Sequence, residues 1–419
     1  MLVYKFGGAS IANAERMSAL LPIIRDAKEP LLLVVSALGK TTNALEAIVN
    51  KACQNEINEA LALVQKLEQQ HLDFAKVLLN DGYENAVVIL KKYFNELETS
   101  VKNTDPARYD YSYDQVVCMG EILSTILFHC FLQQHNLPIE WIDIRKFIRT
   151  DYTFRDAAVE WDHTQKHAQE VISTQLQQGK IVLVQGFIGS TPSGKSVTLG
   201  REGSDYTAAI LAAMLHASSV TIWKDVEGLQ NADPKQFPDT VKIDAISYNE
   251  VIEMAFYGAQ IIHPKTIKPL QNNNIPLYVK CFLDPKLQGT VIQSEVHAVY
   301  PPLIVLKKNQ VLIQVTTKDF SFITEDNLSK LYSIFHDLHV KINLIQNAAI
   351  SFVASIDNRD DKVKSLIETL GKDYKVAIND HVSLLTIRHY TQEIIDTLIA
   401  GKQILLRQET RKTVQVIMK

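Results

Sequence analysis

The stretch LVYKFGGAS, residues 2–10, has the sequence features of one strand–turn–helix step of an α/β fold. LVYKF is an almost continuous apolar run, which is typical of a parallel strand buried on both faces. Gly7 and Gly8 follow it and favour a tight turn into a helix. Such a turn brings backbone N–H groups close to anionic oxygens, with Lys5 placed to meet a phosphate. Because paired glycines after a strand also form purely structural turns, this stretch alone leaves both explanations open.

The alternation of strand and helix patterns continues outward from this stretch to about residue 295. Residues 42–98 are rich in charged helix formers, and SDYTAAILAAMLHA (204–217) predicts a further helix. The other strand-like runs are PLLLVVSA (30–37), IEWIDI (139–144), IVLVQGFI (181–188), SSVTIW (218–223) and IPLYVKCF (275–282). This alternation predicts a three-layer α/β domain with a mainly parallel central sheet over residues 1–298.

The paired prolines of VYPPLI (299–304) predict a linker, and the sequence pattern changes beyond it. Residues 303–380 read as β-α-β-β-α-β, which predicts a ferredoxin-like α+β unit. Its first helix carries one apolar face, made of Leu328, Leu331, Tyr332, Phe335 and Leu338. Residues 381–419 begin the same pattern again but stop after TVQVIM, so we expect a truncated second unit. Without its last helix, this unit should leave an apolar sheet face that needs a partner.

Composition limits the functional class. The chain has 419 residues, 46% hydrophobic content and a net charge of −4, which is ordinary for a globular enzyme and gives no reason to expect nucleic acid or an acidic membrane as a partner. The four cysteines form no CxxC pair, so we expect free thiols in a reducing compartment. The longest apolar runs, such as LLLVVSAL, are too short to span a bilayer, and the N-terminus fits no secretory signal. These features predict a cytoplasmic protein.

The octapeptide GSTPSGKS (189–196) matches the phosphate-loop pattern G-x-x-x-x-G-K-[ST] letter for letter. That pattern requires a helix to begin at the lysine, Lys195, so that its positive end faces the phosphates. The sequence that follows, SVTLGREG, instead resembles the return strand of a hairpin. We therefore interpret the match as a turn.

Two further stretches are candidates for the reaction site. In LGREGSDYTAA (199–209), Arg201 lies between two glycines, and a carboxylate, Asp205, lies where a helix begins; this combination suits a bound carboxylate or phosphate. The alternative is that Ser204 or Asp205 simply caps the helix. IWKDVEGLQNADPK (222–235) runs from a strand into a turn rich in Asp, and it also has a plain explanation as a surface turn.

In this order along the chain, these stretches resemble the amino-acid kinase family, and more closely its aspartokinases. The motifs that carry the resemblance are KFGGAS, VVSALGKTTN, MGEILST, QGFIG, LGREGSDYTAA, IWKDVEGLQNADP, FYGAQIIHPKT and IP-YV-----P---GT. The tail is similar, more loosely, to the tandem ACT region of aspartokinases. The resemblance implies ATP-dependent phosphorylation of the β-carboxylate of L-aspartate, with Mg²⁺ on the ATP and no dedicated protein metal site. The product would enter lysine, threonine and methionine biosynthesis. We expect a monofunctional enzyme, because 419 residues leave no room for a fused dinucleotide domain.

The resemblance also implies site residues. Lys5, Asp205 and Arg201 match the catalytic group: a lysine on the transferring phosphoryl group, an acid beside the phosphates and an arginine for a substrate carboxylate. Glu121 matches the acid that pairs with the substrate's amino group. The rest of the implied substrate pocket is Ser36, Thr42, Phe187 and Ser204. The implied nucleotide side is Lys5, Gly7, Gly8, Ser10, Lys224, Asp225, Gln230, Lys235, Gln260 and Ile261.

The chain departs from the family pattern at several positions. Glu202 adds a negative charge beside a site for anions, Gln260 replaces a usual lysine, and Gln230 replaces a frequent aromatic residue. These departures leave open a catalytically weak, amino-acid-binding regulatory paralogue, and another amino-acid kinase with a different acceptor is the second alternative. Lys5, Arg201 and Asp205 are retained, which favours an active enzyme.

The ACT-like tail implies a homodimer and regulation by an amino acid. The effector loop of aspartokinases commonly carries a polar or acidic pair, whereas INLIQNAAIS (342–351) has Ala348 and Ala349 there. A buried charged effector without a charge partner is costly, so we expect weak or absent inhibition by lysine. Threonine remains open through Asn343 or Gln346.

Overall fold

The computed structural model describes residues 1–297 and 299–419, which form two compact units. The first comprises Met1–Leu229, Lys242–Ile252 and Ile261–Ala298, and the second comprises Gln230–Val241, Glu253–Gln260 and Val299–Lys419. The boundaries drawn from the sequence, 1–298, 303–380 and 381–419, stay a prediction.

The first unit is built on an eight-stranded sheet with the order β10-β12-β11-β7-β1-β2-β4-β3. Its strands are β1 (Leu2–Phe6), β2 (Leu31–Val35), β3 (Ile139–Ile142), β4 (Ile181–Gln185), β7 (Ser219–Lys224), β10 (Ala245–Ser247), β11 (Leu277–Cys281) and β12 (Thr290–Gln293). Six neighbouring strands, from β11 to β3, run parallel, and β12 pairs antiparallel with β11. This confirms the predicted mainly parallel sheet.

Short strands and helices complete the unit, and two of them, Leu229–Gln230 and Tyr248–Tyr257, continue into the second unit. The short strands are β5 (Ile188–Ser190), β6 (Ser196–Thr198), β8 (Leu229–Gln230) and β9 (Lys242–Ile243). The helices are α1 (Ala14–Arg25), α2 (Thr41–Cys53), α3 (Ile57–Leu78), α4 (Tyr83–Lys102), α5 (Tyr109–Val117), α6 (Met119–Gln134), α7 (Trp161–Ala168), α8 (Thr174–Gln177), α9 (Gly203–Met214), α10 (Tyr248–Tyr257) and α11 (Pro264–Asn272). Two 3₁₀ turns, Pro106–Arg108 and Ile144–Lys146, and a π-helical turn, Gln169–Ser173, lie between them.

The core of this unit accounts for its most apolar segments. All five residues of β2 are buried, as expected for a central parallel strand. Among the described residues, one helical stretch, Pro106–Gln134, is long and apolar enough to cross a membrane, a feature not predicted from the apolar runs of the sequence. In its most apolar window, 89% of the residues are buried within the protein, so the core itself accounts for this apolar composition.

The phosphate-loop match lies on a hairpin. Strands β5 and β6 pair antiparallel, with Ser190 opposite Ser196, and Gly194 adopts a left-handed φ of 76° in the turn between them. No helix begins at Lys195, so the requirement of a phosphate loop is not met and the prediction of a turn is confirmed.

The second unit contains a six-stranded sheet with the order β14-β15-β13-β16-β18-β17. Its elements are β13 (Leu303–Thr317), α12 (Glu325–Asp337), β14 (Ile342–Asn347), β15 (Ser351–Asp357), α13 (Asp360–Leu370), β16 (Tyr374–Arg388), α14 (Gln392–Ile399), β17 (Ile404–Glu409) and β18 (Thr413–Met418). The predicted β-α-β-β-α-β order is confirmed. Helices α12 and α13 bury Leu331, Phe335 and Leu366 against one face of the sheet, whereas Tyr332 is 45% exposed at the edge of that face.

The expectation of an uncovered apolar face is wrong. Around β18, one sheet face packs against α14 and against Ala232 and Phe237 from the segment before β9. The opposite face forms a closed cluster that includes Leu312, Leu344 and Ile417. The two edge strands of the sheet also meet, since the side-chain amide of Gln408 on β17 donates to the carbonyl of Ile345 on β14 at 2.7 Å. The sheet therefore folds back on itself and covers this face with its own residues.

Candidate active site

A cavity of about 420 Å³ opens at the carboxyl ends of the central strands of the first unit. This edge is where parallel α/β sheets bind ligands. The cavity brings together nine of the residues predicted from sequence, namely Lys5, Gly8, Ser36, Thr42, Glu121, Phe187, Arg201, Ser204 and Asp205. These residues lie up to 200 positions apart in the chain, so the fold brings the side chains of separate motifs into one cavity.

Lys5 and Asp205 form a buried ion pair at the base of the cavity. Lys5 is the fourth residue of β1, and its Nζ lies 2.6 Å from Oδ1 of Asp205 in the first turn of α9. Their side chains are only 11% and 6% exposed. Because removing one partner of such a pair leaves an unpaired buried charge, each residue supports the fold as well as the site.

The turn after β1 approaches the neighbouring loop closely. A side chain at Gly8 would place its Cβ 2.8 Å from the carbonyl oxygen of Ala37, so only glycine fits there. Ser10, by contrast, is 1% exposed and donates its hydroxyl to the carbonyl of Trp223 at 3.0 Å. In this structure Ser10 thus connects two elements of the unit.

Glu121 lies in the first turn of α6 and is 3% exposed. Its Oε1 accepts a hydrogen bond from the N–H of Ala37 at 3.3 Å, and its Oε2 is buried without a hydrogen-bond partner among the described residues. Burial raises the pKa of Glu121 to about 8, against the lowering effect of backbone N–H donors and of the Lys5 charge. A buried carboxyl oxygen that lacks a partner and faces a cavity is suited to a cationic ligand group.

Arg201 and Glu202 differ in how they are held. Arg201 is exposed on the cavity wall and forms no ion pair within the described part of the chain, so its guanidinium is available for an anion. Glu202 adopts a left-handed φ of 54°, and its Oε2 accepts the N–H of His263 at 2.7 Å. His263 is the N-cap of α11, so the Glu202 carboxylate satisfies the start of that helix. This tether offsets the extra negative charge that the sequence places beside the site.

The remaining cavity residues are positioned by tight backbone packing. Phe187 has a left-handed φ of 68°, and its N–H donates to Oγ1 of Thr207 on α9 at 3.0 Å. A Cβ on Gly186 would lie 2.5 Å from the Ser204 side chain, so Ser204 is held directly over the end of β4. Ser36 and Thr42 also line the cavity, after β2 and in the first turn of α2.

Not all of the predicted nucleotide-side residues line this cavity. At the end of β7, Lys224 donates from Nζ to the carbonyl of Ile261 at 3.2 Å, and Asp225 lies 3.5 Å from a guanidinium nitrogen of Arg16. The structure thereby brings Lys224 and Ile261 together. Gly7 and Ser10 follow β1 outside the lining of the cavity, and three more predicted residues, Gln230, Lys235 and Gln260, belong to the second unit.

The structure adds cavity residues that the sequence analysis missed, chiefly Tyr113, Arg155 and Thr198. Each lies outside the motifs used for prediction. The hydroxyl of Tyr113 donates to Oε1 of Glu46 at 2.6 Å, and Thr198 is held by the fully buried carboxylate of Asp114. No local pattern marks them, because their position depends on pairing between segments far apart in sequence.

The cavity fits a metal ion that arrives on a phosphate ligand. No group of three or more His, Cys, Asp or Glu side chains that could hold an ion is found in the described residues. Three carboxyl groups line the cavity, those of Glu121, Glu202 and Asp205. Glu202 accepts a hydrogen bond from the start of α11, and burial raises the pKa of Glu121 to about 8, so Asp205 is the carboxylate that remains for a cation. Mg²⁺ bound to ATP typically uses only one or two protein carboxylates and takes its other ligands from phosphate and water. Asp205 suits that arrangement.

Comparison with known proteins defines the class. The model of the amino acid kinase family matches residues 1–281, about two thirds of the chain. The chain belongs to this family, as the buried parallel sheet and the cavity at its carboxyl edge indicate.

Within the family, aspartokinases match over most of the chain. The chain is 30% identical to lysine-sensitive aspartokinase 3 of Escherichia coli over 403 residues, which is 92% of this chain and 86% of that protein. It is 27% identical to the aspartokinase of Chlamydia pneumoniae over 391 residues, 92% of this chain and 85% of that one. A crystal structure of E. coli aspartokinase III in complex with aspartate and ADP aligns with a TM-score of 0.81 and 27% identity, covering 100% of this chain and 96% of that chain. The protein is therefore a kinase and a homologue of the aspartokinases.

Proposed function

We propose that this kinase transfers the γ-phosphoryl group of ATP to the β-carboxylate of L-aspartate, giving 4-phospho-L-aspartate and ADP. The observation that carries the proposal is the charge arrangement of the cavity. A buried acid with one oxygen free, an arginine without an ion pair and a buried lysine share one space, as judged over residues 1–297 and 299–419. An α-amino acid with a second carboxylate has complementary groups. The crystallised complex of E. coli aspartokinase III with aspartate and ADP supports the same pair of ligands.

Aspartate binding uses Glu121, whose Oε2 has no hydrogen-bond partner among the described residues, and Arg201, which forms no ion pair with them. Oε2 of Glu121 would receive the α-ammonium group, and the guanidinium of Arg201 would hold the α-carboxylate by paired hydrogen bonds. Ser36, Thr42, Phe187 and Ser204 would form the surrounding wall. With the α-groups fixed, the β-carboxylate remains free to react.

The phosphoryl transfer needs no general base. A carboxylate with a reference pKa near 3.9 is already ionised at neutral pH, so it is ready to attack phosphorus. The remaining task is to hold two anions in line and to stabilise the charge of the transferring group. Lys5, preorganised by its ion pair with Asp205, supplies a fixed positive charge at the base of the cavity. Asp205 would orient the Mg²⁺ that accompanies ATP, and this ion offsets phosphate charge when bound.

The nucleotide side is assigned by resemblance to the turn after β1 and to the end of β7. Gly7 and Gly8 would present backbone N–H groups to phosphate oxygens. The contact between Lys224 and Ile261 and the nearby carboxylate of Asp225 support the second part of the assignment. Roles for Ser10, Gln230, Lys235 and Gln260 remain part of the prediction.

We also propose the wider setting that the resemblance implies. The product would serve lysine, threonine and methionine biosynthesis, and the protein would act in the cytoplasm. Two copies of the protein would form a homodimer through their second units. The ferredoxin-like arrangement of β13–β16 supports the regulatory assignment of this unit.

The proposal is tested by ADP formation with aspartate, with glutamate and without an acceptor. Acyl phosphate is trapped in the same assay with hydroxylamine. We expect ADP and hydroxamate in equal amounts, with aspartate only. ADP formation that is independent of aspartate would contradict the proposal.

A further inference from the structure

Arg155 is an unusual residue on the cavity wall. It has a left-handed φ of 68°, a conformation that costs a non-glycine residue free energy and that persists where surrounding structure enforces it. It belongs to none of the sequence motifs. It nevertheless lines the same cavity as Lys5, Glu121 and Arg201.

The backbone of Arg155 is fixed by a buried acid. Its N–H donates to Oδ2 of Asp114 at 2.9 Å, and the same carboxylate accepts the N–H and the hydroxyl of Thr198 at 3.0 and 2.7 Å. Asp114 is 0% exposed, and Thr198 lines the cavity. The strained residue is thus anchored to the cavity wall through one carboxylate.

The guanidinium of Arg155, in contrast, makes only exchangeable contacts with the described residues. It lies over the ring of Tyr113 at 4.5 Å and over that of Tyr109 at 5.6 Å, and it forms an ion pair with Asp110 at 3.0 Å. The side chains of this ion pair are 47% and 61% exposed. Exposed ion pairs of this kind contribute little, so another carboxylate can replace Asp110 at small cost.

Charge balance in the cavity favours such an exchange. Its lining contains three cations, namely Lys5, Arg155 and Arg201. Lys5 is neutralised by Asp205, and the Glu202 carboxylate is held by the N–H of His263, so the positive charge of the two arginines remains to attract an acidic acceptor. We propose that Arg155 is a specificity-determining residue that binds a carboxylate of the acceptor as the acceptor enters the cavity. It acts on capture of the dicarboxylate and takes no part in the transfer step. This inference rests on the proposed function.

The test uses Arg155→Gly and Arg155→Lys in the full-length protein. Glycine suits the left-handed backbone, so this variant loses the charge while relieving strain, and a melting temperature at or above that of the wild type shows that the fold is kept. We expect Arg155→Gly to raise the KM for aspartate roughly tenfold, in the range of one lost charge-assisted hydrogen bond, with kcat and the KM for ATP within about twofold of wild type. Arg155→Lys should recover part of the KM, because the charge returns without the planar fork.

Arg108→Ala is the matched control. Arg108 is also exposed and also lies over a tyrosine ring, that of Tyr111 at 4.4 Å, but it does not line the cavity. It should leave the KM for aspartate unchanged. An unchanged KM in Arg155→Gly, an equal rise in the KM for ATP, or an equal effect of Arg108→Ala would overturn the inference. If the wild-type protein binds aspartate in calorimetry but does not phosphorylate it, the proposed function alone is contradicted. The inference about Arg155 is then tested by calorimetry, where Arg155→Gly should bind aspartate more weakly than the wild type.

Discussion

Binding of aspartate should release a proton from Glu121. In the free protein this carboxyl group is 3% exposed, and burial raises its pKa to about 8. With that pKa, about nine tenths of the protein molecules carry the proton at pH 7. An α-ammonium group beside the unpaired Oε2 would favour the carboxylate, so the pKa falls and the proton leaves.

The magnitude follows from linkage. If the pKa in the complex lies well below 7, about 0.9 protons are released per aspartate bound at pH 7. For the same reason the dissociation constant for aspartate should be about eightfold higher at pH 7 than at pH 8.5, and it should rise about tenfold per pH unit below 7. The affinity for aspartate therefore rises with pH. The reason is that the proton bound to Glu121 in the free protein must leave before the carboxylate can pair with the ammonium group.

Isothermal titration calorimetry measures both quantities. Titrations at pH 7 are repeated in buffers of different ionisation enthalpy. The observed binding enthalpy is plotted against the ionisation enthalpy of the buffer, and the slope gives the number of protons released. Glu121→Gln is the control, because it is nearly isosteric and cannot titrate; it should bind weakly and with no slope. A slope near zero in the wild-type protein, or an affinity for aspartate that does not change between pH 7 and 8.5, would refute the reasoning.

Four further predictions concern single positions and regulation. Lys5→Ala should lower kcat by about a hundredfold or more and destabilise the protein by about 3–5 kcal/mol in denaturant unfolding, because it leaves the buried carboxylate of Asp205 unpaired. Adding Asp205→Asn should restore stability but not turnover, and full stability of Lys5→Ala alone would argue against the ion pair. Arg201→Ala should raise the KM for aspartate much more than that for ATP in steady-state kinetics; equal changes would place Arg201 on the nucleotide. Gln260→Lys should lower the KM for ATP or leave it unchanged, and a marked loss of activity would show that the amide is required. Millimolar lysine should inhibit weakly or not at all in the turnover assay, because Asn343 already binds Lys307, Gln310 and Asp357; strong inhibition would contradict this.

The elements, and the grouping of Lys5, Arg201 and Asp205 in one cavity, could be predicted because their information is local. KFGGAS joins a buried strand to a glycine turn, and LGREGSD joins an arginine to the start of a helix. The local structure of each motif can therefore be predicted from the motif alone. Contacts between distant segments could not be predicted. The hydrogen bond from the N–H of His263 to Glu202 and the anchoring of Arg155 by Asp114 each join residues more than 40 positions apart.

The same limit explains the error about the second unit. The sequence pattern predicted the order of strands and helices, but it could not show that β14 and β17 meet. Their contact, from Gln408 to Ile345, spans 63 positions and allows the sheet to cover its own apolar face. Dimerisation therefore does not follow from an exposed sheet face and has to be measured by mass in solution.

The central claim is that the cavity holds aspartate by its α-groups and leaves the β-carboxylate to react. The most direct test is the position of the acyl phosphate: aspartate, ATP and Mg²⁺ are incubated with the enzyme and hydroxylamine, and the hydroxamate is identified by chromatography and mass spectrometry against α- and β-standards. We predict aspartate β-hydroxamate alone, in equal amount to ADP, and none from glutamate. Formation of the α-hydroxamate, or ATP consumption with no hydroxamate, would contradict the account.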